Sequence, residues 1–245
     1  MDLKTALAKV GVTADATVHM VDNDDAFPYH LDRPPTWKLD KKMLYNCRTI
    51  IFSTSGIPQH LRSRGPCELV EILLAKALNL STLWNSRGNT APGKRHELIK
   101  LWVDFLDELS VLQVLDIASL SEFERAALFL NLFHIMVIHG SLVLGPPQSR
   151  GSWQPFFNEV AYLVSFDVVS IAELEHNILR AAMSRPPLLN QTTARIPRSH
   201  FPGLALTQRD FRFNFCINHG SISMPRQIRI FRTETLDDQL DEVRT

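Results

Sequence analysis

The stretch Ser121–Pro147, SEFERAALFLNLFHIMVIHGSLVLGPP, is apolar around almost its whole circumference. A helix with no wide solvated face has to lie inside a core. Its ends are written into it. Ser121 followed by Glu124 forms a capping box, in which each side chain answers a backbone N–H that the first turn leaves unpaired. Gly145 supplies a left-handed stop, and Pro146 and Pro147 cannot extend the hydrogen-bond ladder. Between Ala126 and Ile138 the only polar residues are Asn131 and His134. Together with Glu124 and Ser141 they fall on one stripe of the helix. A polar seam thus runs through apolar packing, and each unanswered group in it would cost on the order of 1–3 kcal/mol. Either Asn131 and His134 tie the helix to neighbouring backbone, or they belong to a working site. The polar groups within the run and the capping box at its start argue against a membrane span.

The chain is 245 residues long and 45% hydrophobic, enough for a sizeable core. Lys plus Arg equals Asp plus Glu at 26 each, so no global field draws in nucleic acid or an anionic membrane, and nucleic acid is not an expected partner. The opening MDLKTALAKV has no basic stretch followed by an apolar core and cleavage site. Cys47, Cys67 and Cys216 form neither a CxxC pair nor a disulfide framework. These features predict a cytoplasmic or nuclear protein without a transmembrane segment.

The spacing organises the chain into three parts: an N-terminal helix and linker over 1–38, a helical region over 39–96, and a domain over 97–245. Asp2 to Val10 reads as a short helix, and the linker that follows carries Asp22, Asp24 and Asp25 without the glycine and glutamate of a calcium loop. Leu39, Met43, Cys47, Ile50 and Ile51 have helical spacing. Pro66 opens a helix towards Leu80. Trp84 to Arg95 reads as a loop, and Glu97 to Leu115 as a helix packing on the central one. After the proline stop, Gly151 to Phe157 reads as a loop, and VAYLVSFDVVS as a short strand or tight ribbon. Ser170 and Glu173 form a second capping box, opening a helix from Ile171 to about Met183. Its Glu173, His176 and Arg180 share the face opposite the apolar one, whereas Glu175 points at the core and needs a donor. The seam of Asn131 and His134 is the expected donor. Ser184 to Gly203 reads as an extended loop.

Phe211, Phe213, Phe215 and Ile217 alternate with polar residues and predict a strand; Ile228 and Ile230 predict a second, and Thr235 caps a last helix through Leu236, Leu240 and Val243. The chain stops inside that pattern, as a truncated domain end would. Arg209, Arg212, Arg226, Arg229 and Arg232 cluster here, either as a local anion-binding face or as the charged guard of a strand edge. The fold class expected is α+β and mainly helical, with the helix Glu122–Leu144 at its centre and a small antiparallel sheet near the C-terminus.

Three blocks resemble the family called domain of unknown function 547: ALFLNLFHIMVIH (127–139), FFNEVAYLVSFDVVSIAELEHNILR (156–180) and DFRFNFCINHGSISMP (210–225). Asn131, Glu175, His176 and Arg180 fit the family pattern. Asn214 stands at the family's His position, His219 at its first Cys and Met224 at its second. The family has no established reaction. Its Cys, His and Asn invite comparison with papain-like and transglutaminase-like folds, and the resemblance implies that this copy lacks the thiol and imidazole at their usual places.

Two functional readings follow. In the first, the domain is non-catalytic, pseudoenzyme-like and regulatory, binding a protein partner or an anion through Arg180, Arg212, Arg226 and Arg229. In the second it is a hydrolase or acyl transferase: Cys67, whose thiol lies in a first helical turn, or Cys216 is the nucleophile; His134, His176 or His219 is the base; and Asn131 or Glu175 orients it. No residue spacing indicates a metal site or a cofactor. His134 and His139 are five apart, and no HExxH occurs.

Overall fold

A computed structural model describes residues 38–39, 41–51, 53–85, 92–184, 201–220 and 227–243. The expected N-terminal helix, the linker acids, most of the 184–203 loop, Met224 and Arg226 lie outside them. The described chain is α+β and mainly helical. Strands β1 (Lys38–Leu39) and β2 (Lys42–Leu44) precede α1 (Gln59–Arg62), α2 (Pro66–Asn85), α3 (Pro92–Leu109) and α4 (Glu122–Leu144). Then come α5 (Arg150–Glu159), β3 (Val160–Val164), β4 (Asp167–Ser170), α6 (Ile171–Glu173), α7 (Phe213–Cys216) and α8 (Leu236–Glu242). A short 3-10 segment, Ser110–Val114, follows α3.

Helix α4 is the centre, as its composition demands. Both hydrogen bonds of the Ser121–Glu124 capping box form, and Gly145 ends the helix at a φ of +80°, a sign that glycine takes most readily. Every residue from Ala126 to Gly140 is buried. The helix is long and apolar enough to cross a membrane, but 83% of its apolar window is buried inside the fold, as in the core helix of a globular domain. Helix α2 packs along it, and at Gly140 α5 comes so close that a Cβ would lie 2.9 Å from Phe156 Cζ.

The sheet is four-stranded and mixed, in the order β1-β2-β3-β4, with β2 parallel to β3 and the other pairs antiparallel. The ribbon expected within VAYLVSFDVVS is the β3–β4 hairpin. Its two turn residues, Ser165 and Phe166, both have positive φ, the requirement of a tight hairpin turn. Their N–H groups donate to the carbonyls of Leu112 and Gln113 at 2.9 and 3.0 Å, which holds a conformation that non-glycine residues adopt only when it is over-determined.

Several expectations are corrected. The sheet is built from Lys38–Leu39, Lys42–Leu44, Val160–Val164 and Asp167–Ser170, and among the described residues none of its strands comes from the C-terminal segment. Phe211 to Ile217 is not a strand: residues 213–216 make one helical turn, with Phe213, Cys216 and Ile217 buried and Phe211 and Phe215 outside. The buried set keeps a spacing of three and one, which the two-residue alternation of phenylalanines masks. Residues 227–232 form no strand pair, although Arg232 is extended. The described residues between 39 and 51 are not helical; after β2 the chain is irregular, and Leu44 at the strand's end with Tyr45, Cys47 and Ile51 beyond it fill the core. Trp84 and Asn85 still belong to α2 and Pro92 to Arg95 already belong to α3, so the loop expected over Trp84 to Arg95 is helical at both ends.

Residues 150–159 are helical instead of a loop. A capping box between Ser149 and Ser152 starts α5, and Pro155 is tolerated near that start, where few N–H groups have intrahelical partners to lose.

Candidate functional site

The polar seam of α4 is answered by the C-terminal segment. Asn131 and His134 are each 1% exposed. The Asn131 amide donates to the Phe231 carbonyl at 2.7 Å and accepts the Phe231 N–H at 2.8 Å. From elsewhere, Gln239 donates to the Ile230 carbonyl at 2.9 Å and accepts the Arg232 N–H at 2.8 Å. The segment expected as a strand therefore has its ladder completed by two side-chain amides in place of neighbouring strands.

His134 lies three residues further along α4. Its Nε2 accepts the Asn218 N–H at 3.2 Å, which places the proton of the neutral ring on Nδ1. Nδ1 has no hydrogen bond of good geometry, although the Leu130 and Cys216 carbonyls partly offset the cost of charging the ring. Burial outweighs them, with help from nearby His219, and lowers the pKa from 6.5 to about 4.

Glu175 is the second focus. It is buried at 4% exposure, as expected of a carboxylate pointing at the core, but its partners are not Asn131 and His134. Oε2 meets His219 Nε2 at 2.8 Å, Oε1 accepts from Arg180 Nη1 at 2.5 Å, and His176 Nε2 stands 4.0 Å away. Burial alone would raise this carboxyl; the His219 hydrogen bond and the charges of His219, His176 and Arg180 overcome it and bring the pKa to about 2. The local winding makes the Arg180 contact. Residues Leu174–Leu179 form a π-helix, with the Arg180 N–H donating to the Glu175 carbonyl. That wider turn brings side chains five positions apart onto one face. His219 is flanked by the rings of Phe133, Phe157 and Trp153, at centroid distances of 5.5, 5.4 and 6.2 Å. Glu173, expected on the solvent face, is instead buried: it completes the Ser170 capping box and binds Lys42 Nζ at 2.6 Å.

The thiols stand apart from this chemistry. Cys47 is buried, and burial pushes its pKa up. Cys67 lies in the first turn of α2 with its thiol 3.6 Å from the Glu124 carbonyl. Burial raises it, partly offset by the Thr233 hydroxyl. Cys216 is pushed up to about 12, by burial first and then by Asp210, against Arg229 and Arg212. Among the described residues no thiol is hydrogen-bonded to an imidazole. Cys216 and His134 do line one cavity of about 370 Å³. No three His, Cys, Asp or Glu side chains among the described residues stand close enough to share a metal.

The arginines are placed on acids. Arg180 is on Glu175, Arg229 is on Glu242, and Arg212 is shared by Asp210, Asp237 and Asp241 at 2.8 Å each.

The sequence reading passed over further buried amides. Asn46 bonds both backbone groups of Leu163, accepting its N–H at 2.8 Å and donating to its carbonyl at 2.9 Å. Gln113 bonds the carbonyls of Asn46 and Thr49 and the Ile51 N–H. Each stands between apolar neighbours, the signal that picked out Asn131. His139, weighed in the sequence only for its spacing from His134, sits among Tyr45, Trp102 and Phe105, with Nδ1 2.6 Å from the Tyr162 hydroxyl.

Residues 117–245, just over half of the chain, match the family model described as protein of unknown function, DUF547. The chain belongs to this family. No curated protein and no solved structure matches it. The DUF547 match holds both foci: the α4 seam with its C-terminal partners, and the Glu175 group.

Proposed function

We propose that this DUF547 domain is a non-catalytic, regulatory interaction module. One observation carries the reading: the groups that would perform catalysis are committed to fastening the C-terminal segment. Asn131 clamps Phe231, His134 accepts from Asn218, and Glu175 holds His219. A base whose ring nitrogen already accepts a backbone N–H has no lone pair there for a thiol proton. A thiol pushed up to about 12 is not a nucleophile at neutral pH. With Arg180, Arg212 and Arg229 on carboxylates, a protein partner is the better-supported ligand than a free anion. The three unpaired thiols suit a reducing compartment, cytoplasm or nucleus.

The second reading is a cysteine-dependent hydrolase or acyl transferase of papain or transglutaminase type, favoured by the cavity that Cys216 shares with His134. Iodoacetamide labelling at pH 7, read by mass spectrometry, separates the two. The interaction module leaves Cys47 and Cys216 unlabelled and lets half-buried Cys67, whose thiol burial pushes up, react more slowly than an ordinary thiol. Rapid stoichiometric labelling of Cys216 that His134→Ala abolishes would establish the hydrolase instead.

A further inference from the structure

We draw no further inference here: the strongest candidate, the cavity of about 370 Å³ that His134, Cys216, Ile228, Phe231 and Val243 line between α4 and the C-terminal segment, carries nothing, because nothing in the structure shows what covers or fills it.

Discussion

An asparagine side chain presents a donor and an acceptor side by side, which is what one residue of a strand edge presents to its neighbour. Asn131 uses that likeness in the core, where the groups it answers have no water to turn to. Replacing it by leucine would leave both backbone groups of Phe231 unpaired, so Asn131→Leu is expected to cost about 2–4 kcal/mol. Urea denaturation measures this directly, and a loss under 1 kcal/mol would show that Phe231 finds other partners. His134 adds a pH dependence. Its folded pKa near 4 lies below the usual 6.5, so between those values the unfolded chain binds a proton that the folded chain does not. Stability therefore falls as pH drops from about 6.5 to 4, by about 3 kcal/mol in all, with no further loss from this ring below that. Glu175 acts in a lower window: its contribution is complete above 4.5 and is lost as pH falls towards 2. Denaturation midpoints at pH 7.5 and 5 should thus separate for the native chain and converge for His134→Gln. Equal slopes in the two proteins would refute the assignment to His134.

At the scale of elements, legibility followed the strength of local signals. Helix α4 and the Ser170–Glu173 start were readable because a capping box and a long apolar run state their own boundaries. The C-terminal segment departs from the strand its pattern predicts for a physical reason. Residues 230–232 are satisfied by Asn131, 100 positions from Phe231, and by Gln239, 9 and 7 positions from Ile230 and Arg232, and no local pattern reports a side chain standing in for a strand. Glu175 was legible as a buried acid, but His219 as its partner was not, because only the fold joins them across 44 positions. The π-turn sets a constraint of length as well as chemistry: a helix of normal pitch through 174–179 would carry Arg180 away from Glu175. Close packing sets another at Gly140. Gly140→Ala gains helix propensity of about 1 kcal/mol, yet its methyl would meet Phe156 Cζ at 2.9 Å and Val160 Cγ2 at 3.2 Å. Overpacking against buried side chains costs roughly 1–3 kcal/mol, so a net loss near 1 kcal/mol is expected in thermal melts. A raised melting temperature would mean that Phe156 yields freely.

For the whole molecule, the thiols form a ladder of access. Cys67 is half-buried, while Cys216 and Cys47 are buried, so labelling with a disulfide reagent should proceed at Cys67 under native conditions and reach the other two only through opening reactions. Fast native labelling of Cys47 would contradict the packing around it. The matched stretch begins at Ile117, but the core does not. Strand β2 supplies the parallel neighbour of β3, and α2 covers the flank of α4. Excised at 117, the remainder would turn the oiliest side of its longest helix to water and strip one margin from Val160–Val164. Such a fragment should stain with a hydrophobic dye and melt without cooperativity, whereas residues 41–245 should melt sharply. What defines kinship here is narrower than what can stand by itself in solution.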